Sequence, residues 1–267
     1  MFLAVAGCGR LGFDTVDPAD GALAELEPPP GCEGPDEDGD RWPDACDNCP
    51  VDPNSDQHDL GEDEAGEIAD GVGDACDPRP ALAGDFIGLV EMHNDEGAYN
   101  LYDAYSLSGT GALRLGSLTG PGSASYVSPP RVTRVDTTYT IVDSSNLLQW
   151  MGVWTDNGPN DSMFLESTWQ PGLPASVWRI KESSSSGDRY STDISGPLRL
   201  GAGQRFRVVG DTERVSGTDQ KLTWTDRVTG TSVSTSLALQ IPRFNSGFLE
   251  GYRAIVDFEY FVTYAVR

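Results

Sequence analysis

The chain has 267 residues and a formal net charge of −24 at pH 7, a length that suffices for one sizeable domain and a smaller module. The charge is concentrated, because residues 33–77 hold seventeen Asp or Glu and a single basic residue, Arg41. Such a segment repels polyanions, so the composition excludes nucleic acid as a partner and predicts cations instead.

The first residues form a short run of apolar and small side chains, Leu3-Ala4-Val5-Ala6-Gly7-Cys8. This run resembles the lipobox of bacterial lipoproteins, in which the cysteine is lipidated and becomes the mature N-terminus. The resemblance implies that residues 1–8 are the end of a signal peptide and that Cys8 carries a lipid anchor. The protein would then be exported, as an outer-membrane lipoprotein at the cell surface or as an extracellular protein.

Residues 9–34 are predicted to be a tether, since Pro28, Pro29 and Pro30 favour a stiff, extended backbone. Residues 35–78, called the acidic module below, follow the tether. Four of the five cysteines lie in or beside this module, namely Cys32, Cys46, Cys49 and Cys76. An even number of cysteines in a segment with few apolar residues predicts disulfides formed in an oxidising compartment.

The acidic module begins with carboxylates at alternate positions. If Asp36 is position 1 of a twelve-residue loop, acids occupy positions 1, 3, 5, 9 and 12, and the backbone carbonyl of Trp42 falls at position 7. The acids are Asp36, Asp38, Asp40, Asp44 and Asp47. Calcium takes about six to eight hard oxygen ligands, so the spacing predicts a Ca²⁺ site that Asp47 closes with both oxygens. Frequent prolines exclude flanking helices.

The module continues with three further pieces, Asp47-Asn48-Cys49-Pro50, Asn54-Ser55-Asp56-Gln57-His58-Asp59 and Asp70-Gly71-Val72-Gly73-Asp74-Ala75-Cys76-Asp77. In this order they closely resemble the thrombospondin type 3 repeat, over residues 36–77. That family binds Ca²⁺ through Asp-rich loops, has almost no apolar core and is cross-linked by disulfides. The resemblance implies further calcium ligands from Asn54, Asp59, Asp70, Val72, Asp74 and Asp77.

Two features depart from the family pattern. Arg41 stands at position 6 of the first loop, usually Gly, and must adopt a strained turn conformation. An insertion over residues 60–69 separates Asp59 from the second loop, whose positions 1 and 3 are Gly66 and Ile68. Either an acid folds back as a substitute ligand, or the second site is weak. The acids available for this are Asp59, Glu62, Asp63, Glu64 and Glu67.

Four cysteines permit three pairings. A bond between Cys46 and Cys49 would strain the turn that presents Asp47, which leaves two arrangements open. The family resemblance implies Cys49–Cys76, which ties the ends of the two loops together, and Cys32–Cys46 then follows.

Three alternatives accompany the calcium hypothesis. In the first, the module is a disordered acidic linker, and in the second its four cysteines hold Zn²⁺ through the Cys46-x-x-Cys49 spacing. In the third, which is compatible with calcium binding, the module is an ordered spacer whose calcium is purely structural. Because the module has few large apolar residues, we expect ion binding and folding to be one event.

Residues 83–267 alternate Thr, Ser, Val and aromatic residues between turn signals, which predicts a mainly β domain. The clearest strand is 253–267, where even-numbered residues are apolar and most odd-numbered residues are polar. The other predicted strands are Gly84–Met92, Gly111–Ser117, Val132–Val142, Leu147–Thr155, Met163–Trp169, Val177–Glu182, Arg205–Val209, Lys221–Arg227 and Ser232–Leu239.

This block resembles the concanavalin A-like jelly roll and its laminin-G relatives, on the closing strand Val256–Val262 and on strand pairs such as Met151–Trp154 with Ser176–Ile180. The resemblance implies an antiparallel β-sandwich. Fibronectin-like and galactose-binding sandwiches are alternatives that share the pattern.

The β domain carries little that points to catalysis. A Ser-His-Asp triad would need His93, and the acid pairs Asp257/Glu259 and Asp95/Glu96 are explained as solvent-face charges. The tryptophans of the domain are expected mainly in the core, with one or two exposed to stack on a sugar; they are Trp150, Trp154, Trp169, Trp178 and Trp224.

We therefore expect a non-enzymatic, calcium-binding protein that presents a β-sandwich for adhesion or for recognition of a surface glycan or protein. The alternatives are a carbohydrate-active enzyme, glycoside hydrolase or lyase, on the same fold, and a passive structural envelope protein.

Overall fold

The computed structural model describes residues 27–60, 69–91, 99–109, 111–127, 132–155, 158–168, 177–184, 187–195, 202–216, 219–234, 239–240 and 244–266. Over these residues the chain forms one 3₁₀ turn, Asp44–Cys46, and fourteen β-strands. The strands are β1 Asp85–Glu91, β2 Tyr99–Asp103, β3 Tyr105–Leu107, β4 Leu113–Leu115, β5 Pro121–Val127, β6 Val132–Thr155, β7 Gly158–Thr168, β8 Val177–Ser184, β9 Gly187–Ser195, β10 Arg205–Ser216, β11 Asp219–Asp226, β12 Ser232–Ser234, β13 Leu239–Gln240 and β14 Phe244–Val266. No helix among the described residues has the length and apolar character that a membrane crossing requires.

Every strand pair in the described residues is antiparallel, and the long strands β6 and β14 form the centre of the fold. Each of them changes its outer neighbours along its length. Strand β6 pairs first with β10 and later with β7, while β14 pairs first with β5 and later with β4 and β1. The predicted antiparallel β-sandwich of the jelly-roll class, preceded by an irregular disulfide-linked module, is confirmed.

Aromatic residues fill the described core. Tyr139 on β6 stacks on Phe206 with ring centroids 5.3 Å apart and lies 5.8 Å from the ring of Phe258. Trp224 is fully buried and faces Gly210 across β10 and β11, where a Cβ would come within 2.8 Å of the indole ring. A glycine is therefore required opposite this tryptophan, and the prediction that Trp224 belongs to the core is confirmed.

The last strand changes the face that its even-numbered residues occupy. Phe258 lies opposite Tyr139, whereas Tyr260 lies opposite Thr138, with a register shift between the two pairs. Because Tyr139 and Thr138 are adjacent in a strand, they lie on opposite faces, and so do Phe258 and Tyr260. The bulge at Glu259 thus sends the even-numbered residues beyond it to the other side of the sheet.

Both faces of β14 are buried beyond this bulge. Phe261, Thr263 and Ala265 are at most 1% exposed. On the opposite face Tyr260, Val262 and Tyr264 are at most 3% exposed, since the acidic module covers them. The prediction that one face of this strand is mostly wet is wrong here, because the covering residues come from more than 180 positions earlier in the chain.

The strand predictions differ from the structure in two ways. The predicted strands Val132–Val142 and Leu147–Thr155 are one continuous strand, β6. Strands β2, β3, β5 and β9 were not predicted, because β2 and β3 are short and the small and polar residues of β5 and β9 give no alternating pattern. Strand β5 is held by hydrogen-bonded neighbours on both sides, β2 and β14, so its pairing rather than its composition makes it a strand.

The acidic module is built from tight turns and two disulfides, Cys32–Cys46 and Cys49–Cys76. These are the bonds that the family resemblance implies. All four sulfurs are engaged in them, which leaves no thiolate for the zinc alternative. The ordered turns between the disulfides also argue against a disordered linker.

Candidate functional site

The first acidic loop turns its carboxylates inward through hydrogen bonds to its own backbone. Asp36 accepts from the N–H groups of Gly39 and Arg41 at 2.8 and 3.1 Å. Asp38 accepts from Asp40 at 3.0 Å, and Asp40 accepts from Trp42 at 2.9 Å. Asp36, Asp38 and Asp40 each bring one carboxylate oxygen to a common point, where these oxygens lie within 4.8 Å of one another.

Asp47 interacts with the same acids through charge, since it acts on Asp38 and is acted on by Asp40 and Asp36. Its Oδ1 accepts hydrogen bonds from the Cys49 N–H at 2.7 Å and from the Gln57 side-chain amide at 2.8 Å. Its Oδ2 is buried and has no hydrogen-bond partner in the protein, and the same holds for Oδ2 of Asp38. A buried carboxylate oxygen without a donor is unfavourable unless a cation meets it, so the two orphaned oxygens fit a metal ion.

The electrostatics of the loop reflect this crowding. Burial, followed by the charges of Asp40, Asp47 and Asp36, raises the pKa of Asp38 to about 7, although the Asp40 N–H opposes the rise. Burial raises the pKa of Asp47 to about 6, against the hydrogen bonds from Gln57 and Cys49 and with a further contribution from the charges of Asp40 and Asp36. Without a cation the site therefore disfavours its own negative charge.

Arg41 has the left-handed conformation expected for position 6 of the first loop, with φ 87°. Gly39, two residues earlier, is also left-handed at φ 79°. The turn lets the Arg41 N–H reach Asp36, and this hydrogen bond offsets part of the strain at Arg41.

Other predicted ligands of the first loop have structural contacts. Asp44 is buried, and its Oδ1 accepts from the Glu37 N–H at 3.0 Å. Asn54 donates its N–H to Asp40 at 2.7 Å and so joins the loop from outside. The Trp42 indole is buried and donates to the Ser55 carbonyl at 3.3 Å.

In the second loop, Asp59 folds back across the insertion. Its Oδ2 accepts from the Gly71 N–H at 2.9 Å. Asp74 bonds elsewhere, since its Oδ1 accepts from the Leu60 N–H at 3.1 Å. Val72 is fully buried against the sheet. The other proposed substitutes, Glu62, Asp63, Glu64 and Glu67, lie outside the described residues, as do Gly66 and Ile68.

The structure groups Asp70 and Asp77 with a residue that sequence reasoning missed. Asp85, the first residue of β1, is fully buried and brings a carboxylate oxygen within 4.8 Å of those of Asp70 and Asp77. Arg79 binds Asp85 through Nε and Nη2 at 3.0–3.3 Å. The signal available in the sequence was an Arg six residues before an Asp at the module's end.

A second surface of interest is a row of residues across the sheet. Tyr102 on β2 lies opposite Ser123 on β5, which lies opposite Glu250 on β14. The register continues through Trp150 on β6 to Glu166 on β7. Tyr102 is 52% exposed, whereas Leu249, next to Glu250, is 2% exposed and marks the core face. Tyr102, Ser123 and Glu250 therefore lie on the face of the sheet opposite the Leu249 core face.

Glu250 has an unusual ionisation in this row. Burial, and then the charge of Asp103, raises the pKa of Glu250 to about 7. Asp103 itself has a left-handed backbone at φ 61°. An acid that holds its proton near neutral pH can donate as well as accept hydrogen bonds.

The remaining candidates have simpler explanations or fall outside the structure. Asp257 pairs with Arg114 at 2.7 Å, and Glu259 pairs with Arg205 at 2.6 Å, as expected of solvent-face charges. His58 is exposed beside Asp56. Cys8, His93, Asp95, Glu96 and Trp169 lie outside the described residues.

No protein-family model and no curated protein matches the sequence. Among solved structures, the CBM2 module of the evolved Dit of Lactobacillus casei BL23 phage J-1 aligns with TM-score 0.51 and 9% identity, over 69% of this chain and 98% of that one. A Bacillus licheniformis β-glucanase aligns with TM-score 0.49 and 11% identity, over 70% and 100%. Lectin II from Ulex europaeus aligns with TM-score 0.48 and 14% identity, over 69% and 100%. The first alignment supports the sandwich fold, and at these identities the likeness concerns the fold alone.

Proposed function

We propose that the first acidic loop binds Ca²⁺ and that the protein is a calcium-binding, exported protein that presents its β-sandwich to a ligand. The observation that carries the calcium site is the buried, unpartnered Oδ2 of Asp47, a carboxyl that interacts through charge with members of the cluster formed by Asp36, Asp38 and Asp40. Asp36, Asp38, Asp40 and Asp47 would hold the ion. Calcium fits this donor set, because it prefers many hard oxygens in flexible geometry.

Calorimetric titration of the full chain with Ca²⁺ tests the proposal, and Asp38→Asn is the variant of choice. It preserves size and the hydrogen bond from Asp40 but replaces the orphaned oxygen with an amide. We expect affinity to fall at least tenfold, that is by about 1.4 kcal/mol. Asp56→Asn is the matched control, since it removes an equal charge from an exposed position of the module. Equal affinities for the two variants would refute the site.

We further propose that the row from Tyr102 through Ser123 to Glu250 recognises a glycan. An exposed tyrosine offers a face for a sugar ring, and a carboxyl two strands along the row, about 10 Å away, hydrogen-bonds sugar hydroxyls. Because the aligned phage domain is a CBM2 module, a glycan is the first ligand class to test. A glycan-array screen of wild type and Tyr102→Ala tests it, with Tyr105→Ala as the control, because Tyr105 is equally exposed but faces Leu115 on β4. Loss of binding in both variants alike, or no glycan bound by wild type, would count against the row.

The protein's setting and its lack of activity stay proposals. Lipidation of Cys8 is tested by mass spectrometry of the membrane fraction, and unmodified protein in the soluble fraction would contradict it. A polysaccharide-hydrolysis assay with wild type and Glu250→Gln separates a binding domain from an enzyme, since activity lost in the variant would favour the enzyme.

A further inference from the structure

The acidic module shares an apolar core with the sandwich. The sequence predicts a module too poor in apolar residues to build its own core, and the structure shows where the missing partners come from. The contact unites module residues with the end of β14, and every member is at most 3% exposed: Cys49, Val51, Val72 and Cys76 with Tyr260, Val262 and Tyr264. The residues on both sides of this contact would be exposed to water if the module left the sheet.

Arg207 on β10 joins the two parts through charge. Its guanidinium contacts Asp52 of the module at 3.0 Å and Asp136 of β6 at 2.6 Å. Asp136 is 1% exposed, and it also receives a hydrogen bond of 3.4 Å from the Tyr260 hydroxyl. A buried carboxylate such as Asp136 is stable in the protein interior only when it is paired. Arg207 is therefore held on the sheet by Asp136, in a position where it also pairs with Asp52 of the module.

Arg134 on β6 makes a second polar connection. Its Nη1 donates to the Cys76 carbonyl at 2.6 Å, and its Nε pairs with Asp211 at 2.6 Å. The guanidinium also lies 5.8 Å from the ring centroid of Tyr264. The disulfide that ends the second loop is thereby attached to the sheet.

The segment that closes the first acidic loop is also the segment that docks. Asp47 accepts from the Cys49 N–H at 2.7 Å, and Cys49 accepts in turn from the Asp52 N–H at 3.1 Å. A cation that fixes the Asp47 carboxylate therefore also fixes the turn that presents Cys49, Val51 and Asp52 to the sheet.

We propose that docking of the acidic module on the sandwich through Asp52 and Arg207 is thermodynamically linked to cation binding in the first loop. The inference rests on the proposed calcium function and goes beyond it, because it makes the sandwich itself calcium-dependent. Linkage is reciprocal. If calcium strengthens docking by a given factor, loss of docking weakens the affinity for calcium by the same factor. A module that is an independent spacer would show neither effect.

The test uses the full chain and a variant at a residue that is not a member of the carboxylate cluster. Asp52→Asn keeps the shape of the side chain and leaves the Arg207–Asp136 pair intact, so folding of the sheet is preserved. We expect calcium affinity to fall by at least about fivefold, the lower end of typical coupling between sites. The matched control, Asp56→Asn, should change affinity less than twofold.

Hydrogen exchange of wild type supplies the second measurement. Removal of calcium with EDTA should accelerate exchange in residues 260–265 of β14 as well as in the module. Unchanged exchange in β14, with calcium binding intact by calorimetry, would overturn the linkage while the calcium site stands. Absence of calcium binding in wild type would overturn both, and calorimetry distinguishes the two results.

Discussion

Replacement of Asp47 by Asn should change the stability of the protein in opposite directions with and without calcium. The substitution keeps the size of the side chain and the two hydrogen bonds to Oδ1, from Cys49 and Gln57. It alters only the buried Oδ2, which has no partner in the protein. The prediction therefore isolates the atom on which the proposed site depends.

Without calcium, the variant should be the more stable protein at neutral pH. The pKa of Asp47 rises from 3.8 to about 6 on folding, chiefly through burial, so ionisation lowers the stability as the pH rises from about 3.8 to about 6, and the full cost is present above that. At about 1.4 kcal/mol for each tenfold change this is at most about 3 kcal/mol, and the high effective dielectric constant of protein sites lowers the cost to about 1 kcal/mol.

With calcium, the order should reverse. At a concentration one hundred times the dissociation constant, calcium stabilises wild type by about 2.7 kcal/mol. Loss of a charged ligand oxygen weakens binding by roughly 2 kcal/mol or more, so that little of this stabilisation survives in the variant. After the gain of about 1 kcal/mol from the missing charge, Asp47→Asn should be less stable than wild type by about 1 kcal/mol.

Thermal unfolding of both proteins in EDTA and in saturating calcium measures the four stabilities. Asp56→Asn serves as the control for charge removal, and it should leave the calcium-induced shift in Tm unchanged. If Asp47→Asn lowered the stability equally in both conditions, Asp47 would be a structural residue and the reasoning from its unpartnered oxygen would fail.

Three further predictions follow from single positions. Arg41→Gly should stabilise the protein by about 1 kcal/mol relative to Arg41→Ala in chemical denaturation, since only glycine adopts a φ of 87° without strain; equal stabilities would contradict the strain. Gly210→Ala should cost about 1–3 kcal/mol and shift the fluorescence of Trp224, whose ring stands 2.8 Å from the added Cβ; an unchanged spectrum would argue against that packing. Because the folded pKa of Glu250 is raised to about 7, its ionisation should lower the stability of wild type as the pH rises from about 4.5 to 7. Glu250→Gln should therefore have a higher Tm than wild type above pH 7 and the same Tm at low pH. A difference in Tm that did not change with pH would refute this.

The local features of the acidic module could be predicted because they depend on short spacings. Alternate Asp residues place carboxylates on the inside of one turn, and the structure groups Asp36, Asp38 and Asp40 as expected. The left-handed Arg41 follows from its position in the same loop. The disulfides could be predicted through the family resemblance, whereas the residues alone left two pairings open.

The strand pattern could be predicted where both the residues and their surroundings are regular. Residues 254–258 of β14 agree with their apolar alternation, since Ala254, Val256 and Phe258 are buried while Ile255 and Asp257 are half-buried. Strand β5 could not be predicted, because it contains Gly122, a residue type that disfavours strands. The glycine is required there because the Ala104 carbonyl approaches too closely for a side chain. The bulge at Glu259 is likewise invisible in a sequence whose alternation continues without interruption.

The sequence by itself determined that this protein has an acidic, disulfide-linked module with an inward-facing carboxylate loop, followed by an antiparallel β domain. Those properties depend on residues within one turn or one strand, where chain geometry fixes which side chains meet. Only the tertiary structure decided that Asp52 meets Arg207, that Asp85 joins Asp70, and that the module covers the far end of β14. Contacts between segments that are far apart in the sequence depend on the order of all the strands and on which faces of the sheet remain uncovered. The spacing of residues within one segment encodes neither of these.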